Sequence, residues 1–205
     1  MASEPRRNPV TDPLLTPENS ALILIDYQPN QFQAIRSTDP ELLSRNIVSV
    51  ARIARTFGLP TVLSTVGVAA NGASPTVPEL KEVLSDSVEI DRTTLNAWED
   101  VGFRSAVEAT GRKKLIMTAL WTEICLAFPS LDALREGYEV YPVVDAVGGT
   151  SPEAHRAGLD RIEQAGARPI SWVSLACELQ RDWARTETVP EVVDIVLTSR
   201  LLKGE

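Results

Sequence analysis

The stretch that decides the fold is residues 114–128, KLIMTALWTEICLAF. Its first half, around Leu115 to Met117, is a short apolar run of the kind found in parallel strands that are buried on both faces. Its second half predicts a helix from Glu123 onward, with Thr122 as the N-cap and Glu123 in the first turn. The stretch therefore predicts a strand that leads directly into a helix, which is the repeating unit of open α/β sheets.

Cys125 falls in the first turn of that predicted helix, just past the carboxyl end of the strand. Open α/β sheets place their chemistry in the crevice at this edge. Free backbone N–H groups and the positive end of the helix dipole favour a thiolate there, which predicts a reactive cysteine. A free cysteine can equally be a small buried hydrophobe, so this stretch alone leaves both interpretations open.

The same alternation of apolar runs and helical patterns continues along the chain. The further candidate strands are residues 21–25, 61–65, 88–90, 138–144 and 168–172. The further candidate helices are residues 39–58, 77–84, 99–110, 151–166 and 175–183. Strands that alternate with helices predict a three-layer α/β/α fold around a doubly wound, mostly parallel six-stranded sheet.

The domain organisation follows from where this alternation begins and stops. We expect residues 1–17, which are polar and punctuated by prolines, to be a loose N-terminal arm. Residues 18–185 form one domain, and residues 186–205 form a C-terminal tail. The tail contains the apolar segment VVDIVL, which suits packing on the body or on a neighbouring subunit, so we expect a homo-oligomer.

Composition narrows the class of protein. The chain has 205 residues, of which 43% are hydrophobic and 23% charged, and its net charge of −8 argues against nucleic acid or an anionic membrane as partner. No apolar run is long enough to span a bilayer, and the N-terminus lacks the apolar core of a signal peptide. With only 2 cysteines, we expect a cytoplasmic protein whose thiols are reduced.

Two charged side chains follow other predicted strands. Asp26 ends the buried run ALILI, where a carboxylate is costly unless it is paired or catalytic; the alternative is a cap of the next turn. Arg92 follows the short strand 88–90, and its alternative is a surface salt bridge with Asp91 or a neighbouring acid. Because parallel strands end at one edge of the sheet, we expect Asp26, Arg92 and Cys125 to converge there.

The remaining histidine and cysteine carry less information. His155 is the single histidine, which argues against a His-rich metal site, and we expect it to be a partly exposed helix residue. Cys177 lies among Leu175, Ala176 and Leu179, which predicts a thiol in the core. Two glycines, in the loop 145–150, can bring backbone close to a ligand.

Taken together, these segments resemble a known family. ALILIDYQ, a basic residue before NAW, and TALWTEICLAF are similar to the isochorismatase-like cysteine hydrolases, and the similarity continues through YEVYPVVDAVGGTSPEAHRAGLDRIEQAGA. The segments NAWED, TEICLAFPSLDAL and ACELQRDW resemble its YcaC-type subgroup. The resemblance implies a catalytic triad of Asp26, Cys125 and a lysine, but this chain has Arg92 at the lysine position, and arginine cannot shuttle a proton.

The resemblance also implies a mechanism. Asp26 would be the general base, and Cys125 would form a covalent thioester with a small amide-like or ester-like substrate. The backbone N–H groups of Trp121 and Cys125 would form the oxyanion hole, next to a cis peptide bond between Leu120 and Trp121. We further expect Arg92 and the helix dipole to lower the pKa of Cys125.

The expected substrate contacts come from side chains near these groups. They are Gln28, Asn96, Trp98, Trp121, Glu123 and Phe128. Glu123 can instead complement the helix dipole, and Phe128 can be a core residue. The nicotinamidase branch of the family binds a metal after the second strand, but STVGVAANGAS offers no such ligands, so we expect no metal and no other cofactor.

Two other functions are compatible with the sequence. Cys125 can be the oxidised group of a thiol redox sensor, although no resolving cysteine lies close to it in sequence. The Arg92 replacement is also compatible with a non-catalytic binding protein on the same fold.

Overall fold

The computed structural model describes residues 7–200, and its centre is a sheet of five parallel strands in the order β3-β2-β1-β4-β5. The strands are β1 Ser20–Ile25, β2 Thr61–Val66, β3 Glu89–Arg92, β4 Lys114–Ala119 and β5 Glu139–Pro142. The chain winds outward from β1 to β3 and then returns to the other side of β1 with β4. The switch point, where α/β sheets open a crevice, therefore lies between the carboxyl ends of β1 and β4.

Helices cover both faces of the sheet. The helices are α1 Pro29–Gln33, α2 Pro40–Thr56, α3 Val68–Asn71, α4 Pro78–Val83, α5 Val101–Ala109, α6 Ala127–Arg135, α7 Pro152–Gln164, α8 Trp172–Gln180 and α9 Val189–Arg200. Alternate residues of β1 divide between two buried clusters: Leu22 packs with α2 and α8, and Ile23 packs with α5 and α6. The predicted three-layer α/β/α fold is confirmed.

The sixth predicted strand, at residues 168–172, is a single bridge instead. Ile170 donates to Pro142 and accepts from Val144, so it pairs with Val143. Arg168 also donates to Val140, at 2.8 Å, but a parallel ladder then needs a donor at residue 142. Pro142 has no N–H, so the ladder stops there and the sheet has five strands rather than six.

The sequence correctly predicted two helix starts at which a polar capping side chain precedes a proline. Asp39 accepts from the backbone N–H of Leu42 at 2.7 Å with Pro40 in the first helical turn, and Ser151 caps α7 in the same way. The prediction for Cys177 was wrong, because α8 buries Leu175 and Leu179 and leaves Cys177 exposed on its outer face.

The described parts of the arm and the tail pack on the body. The Lys114 ammonium donates to the carbonyls of Asp12, Pro13 and Leu14 at 2.6, 2.8 and 3.1 Å. On the tail, α9 lies against α2, where Arg52 binds both Glu191 and Asp194. Residues 1–6 and 201–205 of the two predicted segments lie outside the described residues. Within the described range no helix has the length and apolar character needed to cross a bilayer.

Candidate active site

Asp26 and Arg92 meet at the carboxyl edge of the sheet. Asp26 directly follows β1 and has a φ of 63°, a left-handed conformation that is uncommon outside glycine and that aspartate tolerates better than most residues. Arg92 is the last residue of β3, so its side chain crosses β2 to reach Asp26. On the way it donates to the Ser64 hydroxyl at 3.2 Å and to the Thr65 carbonyl at 3.0 Å, both residues of β2.

The two side chains form a buried two-pronged ion pair. Arg92 Nη1 donates to Asp26 Oδ1 at 2.7 Å, and Nη2 donates to Oδ2 at 2.8 Å. Both side chains are 0% exposed. Burial alone would lower the pKa of Arg92, but the hydrogen bonds and the charge of Asp26 outweigh it and raise that pKa above its ordinary value. Arg92 is therefore not the surface salt bridge with Asp91 that the sequence also allowed.

Cys125 lies opposite this pair, in the turn that follows β4. The turn is a short π-helix, Thr122–Leu126, which continues into α6. Trp121 rather than Thr122 occupies the cap position, so the predicted Thr122 cap is wrong; the Thr122 hydroxyl instead shares a 2.8 Å hydrogen bond with His155 Nδ1. Cys125 is 7% exposed and belongs to the cluster on the α5–α6 face of the sheet.

The surroundings of the thiol favour its protonated form. Burial, followed by the charge and the hydrogen bond of Asp26, raises the pKa of Cys125 to about 12. A hydrogen bond from the Trp121 backbone N–H and the charge of Arg92 act in the opposite direction. These surroundings oppose the expected lowering of this pKa, because burial first and the Asp26 carboxylate second outweigh the charge of Arg92, which is itself paired with Asp26.

Trp121 shapes the approach to the sulfur. The peptide bond between Leu120 and Trp121 is cis, as predicted. The Trp121 indole N–H donates to the Gln31 carbonyl at 3.0 Å, and its half-buried ring packs at the edge of the cluster that contains α2. Trp121 thus presents its backbone to Cys125 while its ring contacts α1.

Two of the expected substrate contacts, Gln28 and Asn96, are held inside the protein. The Gln28 amide bonds Val66 through both its N–H and C=O groups and donates to the Ser74 carbonyl, and Gln28 is 0% exposed. Asn96 donates to Asp132 at 2.7 Å and accepts from the Trp98 backbone. These side chains fix the loops around the site.

The aromatic candidates differ in their exposure. Trp98 is buried, and its ring stacks edge-on against Tyr138 with centroids 5.4 Å apart. Its indole nitrogen has no hydrogen-bond partner among residues 7–200. Phe128 is half-buried, with the Arg161 guanidinium 5.8 Å from its ring centroid. Phe128 therefore combines core packing with partial access to solvent.

Glu123 turns away from the solvent toward the loop 148–150. Its Oε1 accepts from the Thr150 backbone N–H at 3.1 Å and from the Thr150 hydroxyl at 2.6 Å. The glycines of this loop approach protein rather than a ligand: a Cβ on Gly148 would lie 3.0 Å from Leu43, and one on Gly149 would lie 2.6 Å from Glu123 Oε2. The sequence analysis did not predict the contact between Glu123 and Thr150. The two adjacent glycines indicated a close approach here, and the single histidine, His155, lies against the same glycine, Gly149.

The donor set for a metal is also absent from the described chain. Across residues 7–200, no three His, Cys, Asp or Glu side chains are grouped so that they could hold a metal ion. The loop after β2 is fixed by Gln28 and by Asp91. Asp91 accepts from the backbone N–H groups of Val68 and Ala69 at 3.0 and 2.9 Å.

The chain is similar to known proteins in both sequence and structure. The family model described as the isochorismatase domain matches residues 20–174. The protein named probable hydrolase YcaC from Escherichia coli (strain K12) is 39% identical over 171 residues, which cover 82% of this chain and 81% of that protein. YcaC from Pseudomonas aeruginosa, solved with hexane-2,5-diol and covalent acrylamide, superposes with a TM-score of 0.86 and 37% identity over 93% of each chain. The YcaC gene product from Escherichia coli, described as an octameric hydrolase of unknown specificity, gives 0.81 and 34% over 91% of this chain and 96% of that one.

Proposed function

The chain belongs to the isochorismatase family of hydrolases, in its YcaC-type subgroup, and we propose that it cleaves a small amide-like or ester-like substrate through a covalent Cys125 thioester. One observation carries the proposal: the buried Asp26 carboxylate lies close enough to Cys125 to raise the pKa of its thiol, inside a site that is almost closed to solvent. A carboxylate beside a protonated nucleophile is the arrangement that general-base catalysis requires.

The first half of the reaction acylates the enzyme. Asp26 takes the thiol proton as Cys125 Sγ attacks the carbonyl carbon, so that charge develops on the carbonyl oxygen rather than on a free thiolate. The tetrahedral intermediate then collapses, the bond to the leaving nitrogen or oxygen breaks, and Asp26 returns its proton to the leaving group. The products of this half are an amine or alcohol and the Cys125 thioester.

The second half regenerates the thiol. Asp26 takes a proton from water as the water oxygen attacks the thioester carbonyl. Collapse breaks the carbon–sulfur bond, the sulfur recovers the proton from Asp26, and a carboxylic acid leaves. Atoms and protons balance without any acid or base beyond Asp26, so a lysine at the Arg92 position is not needed for proton transfer.

Arg92 acts by fixing the base. Its planar guanidinium holds both carboxylate oxygens of Asp26, which sets the direction of that carboxylate toward Cys125. Arginine stays protonated throughout the cycle, so it stabilises Asp26 electrostatically in each step. This role is compatible with hydrolysis and removes the main argument for a decayed site.

The oxyanion would be held by backbone groups of the turn. The Trp121 backbone N–H is close enough to Cys125 to lower the pKa of its thiol. Together with the N–H of Cys125, it would donate to the oxygen of the attacked carbonyl as charge develops there. Loss of one such donor in other enzymes lowers kcat by about 10²–10³-fold.

The test is a screen of small primary amides and esters against the Cys177→Ser protein, which removes the exposed second thiol. Intact mass after rapid quenching is expected to show an acyl adduct, and the released amine or alcohol should accumulate. Acrylamide is a suitable first probe, since the Pseudomonas aeruginosa relative was solved with covalent acrylamide. If acrylamide reacts with the protein but no compound of the library gives an acyl adduct or turnover, the proposed hydrolysis is wrong.

A redox role is the second candidate, and the protonated state of Cys125 bears on it. Oxidation by peroxide proceeds through the thiolate, and the raised pKa of Cys125 disfavours that form. We expect peroxide at neutral pH to leave Cys125 as a thiol in the Cys177→Ser protein. A sulfenic acid formed within minutes would favour the sensor instead.

We also propose that the protein is a homo-oligomer. The support is the Escherichia coli relative described as an octamer, together with exposed apolar side chains such as Val88, Leu95 and Val101 on this chain. Light scattering at micromolar concentration should give a mass several times that of one chain. A monomer would contradict it.

A further inference from the structure

We infer that Glu123, through Thr150 and the two glycines beside it, positions the turn that carries Cys125. The inference rests on the proposed function only in assigning Cys125 as the nucleophile. It concerns contacts behind the turn, on the side away from Asp26 and Arg92.

The turn is attached to the loop 148–150 almost residue by residue. Leu120 forms a parallel bridge with Gly148, and the Thr122 N–H donates to the Gly148 carbonyl at 2.9 Å. Glu123 then accepts twice from Thr150, at 2.6 and 3.1 Å. The loop therefore pairs with the residue that follows β4 and gives the turn an external support.

The turn gains from such support because its own hydrogen bonds lie at the upper end of the usual range of distances. A π-helix closes over five residues, and here the Leu126 N–H reaches the Trp121 carbonyl at 3.2 Å while Ile124 shares the same acceptor at 3.2 Å. Among residues 7–200, no side chain caps the start of the turn. Its geometry is consequently set by what packs behind it.

Gly149 and Gly158 allow this close packing, because a side chain at either position would collide with Glu123. A Cβ on Gly149 would lie 2.6 Å from Glu123 Oε2 and 2.9 Å from His155 Cβ. A Cβ on Gly158, in α7, would lie 2.9 Å from Glu123 Cα. Helix α7 and the loop 148–150 thus press on Glu123 from two directions, and small displacements on this side are transmitted to Cys125 two residues later.

The chemistry of Glu123 fits a positioning role rather than a substrate contact. One carboxylate oxygen is occupied by Thr150, and the other is buried without a partner among the described residues. His155 faces the same group: burial lowers the pKa of His155, and the charge of Glu123 opposes that shift. Nothing in these contacts directs the carboxylate toward the sulfur.

The test measures Cys125 itself and needs no substrate. In the Cys177→Ser background, the iodoacetamide rate at Cys125 is followed by intact mass from pH 7 to 11 in Glu123→Ala, in the shape-matched Thr150→Val, and in the double variant. A loosened turn admits water to a thiol whose pKa is raised chiefly by burial, so both single variants are expected to alkylate at least tenfold faster at pH 8. The double variant should be no faster than Glu123→Ala, because that change already removes the hydroxyl hydrogen bond that Thr150→Val removes.

Two controls separate positioning from general destabilisation. Glu163→Ala removes an exposed carboxylate from the far end of α7 and should leave the pH profile unchanged. Glu123→Gln keeps an acceptor for Thr150 and should restore most of the parent profile. Thermal midpoints recorded in parallel show whether each variant is folded.

The outcomes are distinct from those of the amide screen. If Glu123→Ala and Thr150→Val are folded and both keep the parent profile, the positioning role is wrong, whether or not an amide is hydrolysed. Additive rate increases in the double variant would also overturn it, since the two groups would then act independently. A shifted profile in a protein that hydrolyses no amide would support the positioning role and refute only the proposed reaction.

Discussion

The Asp26 carboxylate and the Arg92 guanidinium bind each other through two parallel hydrogen bonds of 2.7 and 2.8 Å, with both side chains 0% exposed. Arg92 is consequently not a free cation beside the nucleophile. A lysine would offer a single ammonium to the same carboxylate, whereas the planar guanidinium fixes its orientation as well as its charge. The base and its counter-ion therefore form one unit, and Cys125 faces the anionic side of it.

The first prediction concerns the stability of this pair. Removing one partner of a buried ion pair leaves an uncompensated charge, which typically costs about 3–5 kcal/mol. We expect Arg92→Ala to lower the free energy of unfolding, measured by urea denaturation, by an amount in that range. Arg92→Lys should cost less, because it keeps a charge for Asp26.

The matched control is an exposed pair of the same chemistry. Arg156 lies 3.6 Å from Asp160 on α7, with its side chain 75% exposed, so Arg156→Ala should change stability by less than about 1 kcal/mol. The double variant Asp26→Asn/Arg92→Met removes both charges and should recover most of the lost stability. If Arg92→Ala were as mild as Arg156→Ala, the pair would not be the closed ion pair described above.

The second prediction concerns the pH dependence of Cys125. Its pKa is raised to about 12, well above the ordinary value of about 8.5, so the thiol stays protonated across the physiological range. In the Cys177→Ser protein, alkylation by iodoacetamide should rise about tenfold per pH unit from pH 7 to 10 without a plateau, in proportion to the thiolate fraction.

The exposed Cys177 provides the reference in the same fold. In the Cys125→Ala protein, the rate at Cys177 gives the alkylation of an exposed thiol in the same fold. The raised pKa of Cys125 also makes folding stability depend on pH. Its contribution to stability is present below the unfolded pKa of about 8.5 and is lost as the pH rises toward the folded pKa. A plateau for Cys125 near pH 7 would mean that a thiolate is present at rest, contrary to this geometry.

The sequence predicts the structural features that depend on residues adjacent to one another in the chain. The apolar run of β1, the Asp39 cap with Pro40, and the strand-to-helix transition at residues 114–128 all follow from adjacent residues. The missing sixth strand also has a local cause, the absent N–H of Pro142, but that cause shows only once the pairing register with Arg168 is known. Period and capping rules alone do not supply that register.

The state of Cys125 depends instead on long-range contacts. Its helical turn and dipole suggested a lowered pKa, whereas burial in the core, together with Asp26 at the end of another strand, raises it. The ion pair in which Asp26 neutralises the charge of Arg92 joins residues 66 positions apart. Likewise, the contact between Glu123 and Thr150 requires β4 and β5 to be adjacent, which the sequence pattern predicts only in outline.

The third prediction concerns Lys114, which holds the arm. Its buried ammonium donates to three carbonyls of residues 12–14, and hydrogen bonds to a charged group contribute roughly 1.5–3 kcal/mol. We expect Lys114→Met to lower the free energy of unfolding by about that amount and to expose residues 7–16 to hydrogen exchange. Lys113→Met, at the exposed neighbouring position, is the control and should do neither.

The last prediction separates the two effects of Asp26 on Cys125. The charge and the hydrogen bond of Asp26 both raise the pKa of the thiol, while Arg92 lowers it. Asp26→Asn keeps the shape of the side chain and tolerates the left-handed backbone at φ 63°, but it removes the anion and leaves Arg92 unopposed. Alkylation of Cys125 near pH 8 should therefore become faster in Asp26→Asn, while turnover of any amide found by the screen should fall at least about 10²-fold through loss of the general base. Arg92→Ala is the control, because it removes a group that lowers the pKa of Cys125 and should slow alkylation. Misfolding would instead expose the thiol and speed alkylation in Arg92→Ala and Asp26→Asn alike. Both rates are measured on the Cys177→Ser background, with circular dichroism to show that the variant is folded. Slower alkylation together with unchanged turnover would show that Asp26 neither suppresses the thiolate nor takes its proton.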